Sequence, residues 1–427
     1  MKILVIGSGG REHAICWKLS QSPKASKIYC APGNAGIASV AECVNIKVDD
    51  IQGLLAFAKG NGIDLTIVGP ELPLTLGVVD LFEQAGLRVF GPSKAAAQLE
   101  GSKAFAKGIM EKYSVPTARY GQFSDVRAAE DFLSTLKPPY VIKADGLAAG
   151  KGVIITDDIE QAAEVLDLFM IHGTMGDGGR KVVIEEFLEG EEASLLAFCD
   201  GEHVVPMVAV QDHKRIFDND LGPNTGGMGT YSPAPVVTPE VAEKALREIL
   251  IPTVKGMAAE GMPYKGILYA GLMIHEGQPK TVEFNCRFGD PETQVLMMRL
   301  DTDLVEIVDA AIDGRLDTLD VQWKPDAATC VVMAAGGYPE AYEKGKVIEG
   351  LNNVAAMDDA VVFHAGTADN GGKVVTSGGR VLGVTALGGD IRDSIDRAYE
   401  AVGKIQFEGM QYRKDIGRRA LTKKETV

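Results

Sequence analysis

Thr281-Val282-Glu283-Phe284-Asn285-Cys286-Arg287-Phe288, continuing into Gly289-Asp290-Pro291-Glu292, is the stretch whose reading decides the fold. Polar and apolar residues alternate through its first eight positions, which predicts a β-strand with two unlike faces. On that alternation Thr281, Glu283, Asn285 and Arg287 share one face. A carboxylate beside an amide oxygen is a pair of hard donors suited to Mg²⁺, an ion that keeps several positions for water or phosphate. Arg287, one step along, offers a positive group to an anion. Alternation alone fits a half-exposed strand with a polar outer face equally well. The turn that follows favours a metal and anion site, because Asp290 and Glu292 add two carboxylates that are costly to hold near Glu283 without cations.

Upstream, residues 211–229 form a long glycine-bearing loop with interleaved charge, a pattern more common in functional loops than in filler. Asp212, Lys214 and Asn224 are its candidate site residues, whereas His213 reads as a residue that structures the loop. Before it, residues 181–188 predict a strand ending in Glu185 and Glu186, followed by Glu189, Glu191 and Glu192. A solvated acidic turn accounts for some of these acids. Residues 140–143 predict a strand that ends in Lys143. The stretch after it, 144–153, combines glycines, small residues and Lys151, which suits a flap folding amides and one charge over phosphates. It is not a Walker loop, because Gly152 follows Lys151 where Ser or Thr is required. Residues 103–112 have a helical pattern closed by Val115-Pro116.

The chain opens with Ile3-Leu4-Val5-Ile6, then Gly7-Ser8-Gly9-Gly10-Arg11-Glu12, then an apolar helical pattern. Strand, glycine turn and helix together aim backbone N–H groups at an anion. The dinucleotide fingerprint fails, since Glu12 stands where its third glycine belongs and the second strand, 27–30, carries no ribose-binding acid. Further strands at 65–68 and 87–90 end in Gly69-Pro70-Glu71 and Gly91-Pro92. Strands alternating with helices predict a parallel sheet, with ligands at the carboxyl ends of its strands. Glu71 sits at such an end, where it is either an acid near a helix N-terminus or an acceptor for sugar hydroxyls.

From about residue 326 the pattern changes to short strands at 329–333, 361–364, 373–376 and 380–385, which predicts an antiparallel sheet covered by a helix over 391–405. The basic end, 417–427, is expected to fray. With 427 residues the chain exceeds a single core and implies several domains. A net charge of −16 argues against a nucleic-acid surface. Six cysteines without C-x-x-C or metal-finger spacing read as reduced thiols of a cytoplasmic protein. No signal peptide and no membrane-spanning apolar run is evident.

The order of these elements resembles the ATP-grasp enzymes. The words GSGGREHA, APGNAG, VGPELPL, KADGLAAGKGV, EEFLEGEEAS, QDHKR, GPNTGGMGTYSP and EFNCRFGDPETQ further resemble the phosphoribosylamine-glycine ligase family, also called glycinamide ribonucleotide synthetases, along the whole chain. The resemblance implies an α/β and α+β multidomain protein. Its parts are an N-terminal parallel-sheet, Rossmann-like domain over 1–101 that binds phosphoribosylamine, an ATP-grasp domain over 102–325 with a lid at about 117–187, and a C-terminal antiparallel-sheet domain over 326–427. It implies ATP-dependent ligation of glycine to 5-phosphoribosylamine through glycyl phosphate, a step of de novo purine (IMP) synthesis, with ATP and Mg²⁺ or Mn²⁺ as cofactors. The partners implied are small molecules, with no nucleic acid or membrane, and the enzyme is expected to be a monomer.

Carried over by position, Lys103, Lys143, Gly150 and Lys151 contact ATP phosphates. Glu185 faces the adenine amino group, the backbone at Glu186 and Leu188 completes the hinge, and Glu192 takes the ribose hydroxyls. Glu283 and Asn285 hold metal. Gly9, Gly10, Arg11, Gly69, Pro70, Glu71, Asn224, Arg287 and Asp290 hold substrate, while Arg287, Lys151, Asp212 and Lys214 serve catalysis. One departure concerns the metal. Many ATP-grasp enzymes carry another metal-binding carboxylate on the strand about twelve residues before Glu283, where this chain has Gly271, so ATP phosphates would supply more of the coordination. Two rival readings are a ligase for another carboxylate or amine and a nucleotide sensor without catalysis.

Overall fold

Ile3-Leu4-Val5-Ile6 and Leu65-Thr66-Ile67-Val68 are buried along their whole length, as strands covered by helices on both faces must be. They form the centre of a five-stranded parallel sheet in the order Glu42–Cys43, Lys27–Pro32, Lys2–Gly7, Leu65–Val68, Val89–Phe90. The computed structural model describes residues 1–146 and 152–422. Gly7, at φ +134°, turns the first strand into the helix Gly10–Leu19, so that the glycine turn lies at the carboxyl edge of the sheet.

The central part contains two antiparallel sheets. One is four-stranded, in the order Tyr120–Phe123, Val182–Glu186, Tyr140–Ala144, Val153–Thr156, and is backed by the helices Val126–Leu133 and Ile159–Leu166. The other runs Val204–Pro206, Glu191–Asp200, Lys265–His275, Gln278–Asn285. Lys143 and Glu185 lie on adjacent strands of the first sheet, and Glu283 and Asn285 lie on an edge strand of the second.

A five-stranded sheet closes the molecule, and it differs from the sequence expectation in two ways. Its order is Gln211–Asp212, Gly229–Ser232, Ala327–Ala334, Arg380–Gly388, Ala360–His364, so one strand comes from the start of the loop at 211–229 and a second begins at its last residue. Lys373–Thr376 is not in it. That strand pairs with Thr367–Asn370 across the turn Gly371-Gly372, whose φ values of +62° and +83° admit a tight hairpin. The helix Ile391–Val402 covers the sheet with its Ile395, Ala398 and Val402 face. Residues expected to fray include the helix Arg418–Thr422, in which Arg419 is held by Asp220. No described helix is long and apolar enough to cross a membrane.

Candidate active site

Glu283 pairs with Gly271 and Asn285 with Tyr269, whereas Thr281 pairs with Leu272. The register therefore shifts at Val282, which is a bulge. Strict alternation would put Thr281 beside Glu283. The bulge puts it on the opposite face with Leu272 and Phe284, fully buried, so Thr281 belongs to the core and leaves the group proposed for chemistry. Glu283 and Asn285 stay together, half-buried, on the other face.

Two lysines approach this face from the neighbouring elements. Lys143 Nζ donates to the Val282 carbonyl at 3.3 Å, and Lys103 Nζ donates to the Gly146 carbonyl at 3.0 Å. Burial lowers the Lys103 pKa, and the charge of Glu283 works against that shift. Lys103 opens a helix, Lys103–Lys112, whose first turn is capped by the Ser102 hydroxyl and the Asp145 carboxylate. Four residues on, and so on the same helical face, is Lys107. It forms a buried triad with Glu185, whose oxygens lie 3.1 Å from Lys107 and 2.9 Å from Lys143. Glu185 is 3% exposed. Burial raises its pKa, but Lys143 and Lys107 more than offset that, and the net shift is downward. Each of its carboxylate oxygens faces one lysine, which leaves each a lone pair for a further donor. The Glu186 N–H is also engaged, donating to the Arg119 carbonyl at 2.9 Å. Leu188 beyond it is half-buried.

Beyond Glu283 lies a small polar cavity lined by Glu192, Ser194, Asp212, Lys214 and Tyr269. Lys214 Nζ donates to Glu192 Oε2 at 2.6 Å. Burial opposes the Lys214 ammonium, yet Glu192 and Asp212 hold its pKa well above the ordinary value. Lys214 in turn lowers Glu192 against the effect of burial. Burial raises Asp212, and Lys214 opposes the shift. Tyr269 Oη stands 2.7 Å from the Ser194 hydroxyl and donates to Glu292 Oε1 at 3.1 Å. Burial and the nearby Asp212 push Glu292 up to about 7.

The N-terminal sheet edge completes the site. Arg287 joins Glu71 (3.2 Å), Glu100 (2.8 Å) and the Asn285 side-chain oxygen (3.4 Å). Burial raises Glu71, but Arg287 and Arg11 outweigh it and lower the pKa. Arg11 donates to Glu12 at 2.5 Å and to the Phe288 carbonyl at 3.1 Å, while Glu12 accepts the Gly9 N–H at 2.6 Å. A Cβ at Gly69 would sit 2.1 Å from Glu12 Oε1, and one at Gly10 would sit 2.6 Å from Gln294 Nε2, so neither position admits a side chain without rearrangement. Pro70 is the N-cap of the helix Glu71–Leu76. Asp290 accepts from Gln294 (2.8 Å), and Arg380 from the C-terminal sheet donates to the Asp290 carbonyl (2.6 Å) and the Gly226 carbonyl (2.7 Å).

Gly9, Gly10, Arg11, Gly69, Pro70, Glu71, Arg287 and Asp290 thus gather at one edge, joined through Arg287 to Asn285 and so to Glu283. Asn224 is not gathered in. It is exposed on the ribbon Arg215–Phe217 with Leu221–Asn224, and among the described residues nothing ties its side chain to the cluster. Gly150 and Lys151 lie outside the described residues. Sequence reading did not identify Lys107, Glu100, Tyr269 or Arg380 as site residues, and it noted Glu292 as a carboxylate of the turn without giving it a role. Of the residues missed only Lys107 carried a local signal, its four-residue spacing from Lys103.

As a metal site the face is sparse. Among the described residues there is no group of three or more His, Cys, Asp and Glu able to hold an ion. Glu283 with the Asn285 amide oxygen fits a hard cation that takes its other ligands from phosphate and water.

Comparison with known proteins gives a consistent result. Residues 1–100, 101–293 and 328–419 match, respectively, the N domain, the ATP-grasp (A) domain and the C domain of phosphoribosylglycinamide synthetase. A phosphoribosylamine-glycine ligase of Vibrio vulnificus is 55% identical over 428 aligned residues, covering all of both chains, and one of Allochromatium vinosum is 54% identical over 429, also covering all of both. The crystal structure of phosphoribosylamine-glycine ligase from Thermotoga maritima superposes with a TM-score of 0.86 at 37% identity, over 97% of this chain and all of that one. The biotin carboxylase domain of a Hydrogenobacter thermophilus 2-oxoglutarate carboxylase, solved with MgADP, ADP and bicarbonate, shares the fold at TM-score 0.75 and 17% identity, over 96% of this chain and 91% of that one.

Proposed function

Because the chain belongs to the phosphoribosylglycinamide synthetase family and catalyses ATP-dependent ligation of glycine in purine biosynthesis, we propose that its chemistry runs along the continuous wall from Lys143 through Glu283 and Asn285 to Arg287 and Glu71. Displacing oxide directly from a carboxylate is slow. Glycine is therefore first phosphorylated by ATP, and the amine of 5-phosphoribosylamine then displaces phosphate from glycyl phosphate, giving glycinamide ribonucleotide. The observation that carries this reading is Arg287. Its guanidinium touches Asn285 on the nucleotide side and Glu71 on the other, so the two half-reactions share one boundary.

Lys103 and Lys143 neutralise the ATP phosphates, and Glu185 holds Lys143 and Lys107 in place for that task. Glu185 faces the adenine amino group, the backbone of Glu186 and Leu188 completes the hinge, and Glu192 meets the ribose hydroxyls. Lys214 and Asp212 hold the two ends of zwitterionic glycine, and Asn224 moves in from the ribbon. Gly9, Gly10 and Arg11 bind the substrate phosphate, while Gly69, Pro70, Glu71 and Asp290 bind its ribose and amine. Gly150 and Lys151 belong to a flap that excludes water from the acyl phosphate. Glu283 and Asn285 would hold Mg²⁺ or Mn²⁺, which supplies charge neutralisation to the phosphates when bound. The three domains run over 1–101, 102–325 and 326–427, the second with a lid at about 117–187. Six free cysteines support a reducing, cytoplasmic setting, and we infer a monomer.

The test is isotopic. With ¹⁸O in the glycine carboxylate, the released phosphate is expected to carry one ¹⁸O per turnover, since the acyl C–O bond breaks and the new P–O bond survives. Label absent from phosphate, or cleavage of ATP to AMP and pyrophosphate, would overturn the route.

A further inference from the structure

The Arg413 side chain, 1% exposed, is the largest of the fully buried side chains among the described residues, and it belongs to none of the groups assigned above. Its Nε and Nη2 donate to the two oxygens of Asp415, each at 2.8 Å. Nη1 donates to Asp220 Oδ1 at 2.8 Å and to the Arg215 carbonyl at 3.1 Å. The surrounding backbone joins in. The Lys414 N–H donates to Asp218 Oδ1 at 2.7 Å, the Asn219 N–H donates to Asp415 Oδ2 at 2.9 Å, and Arg419 donates to the second oxygen of Asp220.

This segment of the chain, 413–419, thus fastens residues 215–220, the part of the loop that follows Asp212 and Lys214. Hydrophobic burial holds that part down at Ile216, which packs with Met228, Val332 and Ala334. In the ribbon Arg215–Phe217 with Leu221–Asn224 only Ile216 is buried, and Phe217 and Leu221 are 56% and 62% exposed. Its turn carries Asn219 and Asp220 consecutively at φ 58° and 55°, a left-handed conformation that Asn and Asp tolerate better than other non-glycine residues but still at some cost. Such a conformation persists only where its surroundings fix it, and here those surroundings are the Arg413 and Asp415 contacts. On the other side Thr225 fixes the Lys214 carbonyl through its N–H and its hydroxyl, both at 2.8 Å. The backbone next to Lys214 is therefore pinned at Arg215 by Arg413 and at Lys214 itself by Thr225. Arg419 adds its charge to the surroundings of Glu192 and Asp212.

We propose that Arg413, with Asp220 and Asp415, is a positioning group for the ligation: the C-terminal segment clasps the loop and sets Lys214 and Asp212 against glycine without touching substrate. This rests on the reading that Lys214 and Asp212 serve at the reaction centre. The test is steady-state kinetics of Asp220→Asn, Arg413→Gln and Arg413→Lys beside Lys214→Ala, with thermal melts of each. A loosened clasp is expected to raise the glycine KM and lower kcat, about tenfold in kcat/KM for glycine, since small misplacements near the reacting group are costly. The ATP KM is expected to change less than the glycine KM, because Lys103, Lys143 and Glu283 lie on other elements and, among the described residues assigned to ATP, Glu192 alone touches Lys214. Arg413→Lys keeps the charge but loses the fork, so it is expected to melt closer to wild type than Arg413→Gln while retaining the glycine defect. The double variant Arg413→Gln/Asp220→Asn is expected to be little worse than either single one. Should Arg413→Gln fail to fold, Asp220→Asn decides, because Asp220 is exposed. Wild-type glycine parameters in Asp220→Asn, or a uniform loss of all parameters in proportion to folded protein, would overturn the clasp. If Lys214→Ala retains full turnover, the reading of the loop fails instead. Loss of turnover in Lys214→Ala beside a normal Asp220→Asn would sink the clasp alone.

Discussion

His13 and His364 meet where the N-terminal helix Gly10–Leu19 packs against the C-terminal sheet. The His364 N–H donates to His13 Nδ1 at 2.8 Å, and the rings stand 5.6 Å apart. Accepting that bond requires a bare Nδ1. Burial, with His364 adding to it, pushes His13 down from the ordinary 6.5 to about 3, and burial pushes His364 to about 4. Well above pH 6.5 neither ring is charged in either state, so both are neutral to stability. As pH falls from there towards about 4 the unfolded chain binds protons that the native state refuses, and stability declines by up to about 1.4 kcal/mol per pH unit for each ring. His13→Asn, which keeps an acceptor, is therefore expected to lose less on acidification than wild type when urea midpoints at pH 7 and pH 5 are compared. An equal loss in both would remove His13 from the acid response. Neither histidine could have been read this way from sequence, because His13 sits in the glycine-turn word and its partner lies some 350 residues on.

At the level of elements, alternation over residues 281–288 located a strand and put Glu283 and Asn285 on one face; that face holds in the structure, but the strand runs over Gln278–Asn285 and leaves Cys286, Arg287 and Phe288 beyond its end. Alternation could not locate the bulge at Val282, because a bulge belongs to the pairing of two strands and leaves no mark on one of them. The same pairing puts Gly271 directly beside Glu283. A Cβ there would meet Glu283 Cγ at 3.4 Å, an ordinary contact, so a side chain fits. Gly271→Asp would add a second carboxylate next to Glu283. Without metal the two repel and the melting temperature is expected to fall; with saturating Mn²⁺ and ATP the gap should narrow, and Mn²⁺ affinity should rise roughly tenfold as a ligand is added. A melting difference indifferent to Mn²⁺ would argue that Glu283 is not a ligand. The triad of Lys107, Glu185 and Lys143 shows the limit from the other side. The Lys103 to Lys107 spacing was visible, but only the meeting of a helix with a sheet brings Lys107 to Glu185.

For the whole molecule, the sheet at the C-terminal end is built from two parts of the chain. Gly229–Ser232 pairs with Ala327–Ala334, and Ala328, Cys330 and Leu387 share a core with Val295 and Met297 of the helix Glu292–Arg299. Residues 326–427 expressed alone would expose the edge of Ala327–Ala334 and the apolar face beneath that helix. Such a fragment is expected to melt without a cooperative transition and to bind a hydrophobic dye, whereas the intact chain melts cooperatively. A sharp, reversible melt of the fragment would show that the shared strand is dispensable.

Sequence alone determined whatever is written in a local period or word. Apolar runs located the buried strands of the parallel sheet, glycine turns located the anion-facing edge, and the ordered motifs identified the family and with it the ligation of glycine. These follow from backbone sterics and from side-chain periodicity within a few residues, so one strand of sequence suffices. Only the tertiary structure decided that Glu185 pairs with two lysines, that Thr281 leaves the polar face, that Arg380 reaches Asp290 and that Arg413 grips the loop after Lys214. Each is a contact between distant segments. The cost of burying a charge fixes how many partners it must have but not which, and the choice among the chain's acids and bases is made when the elements pack.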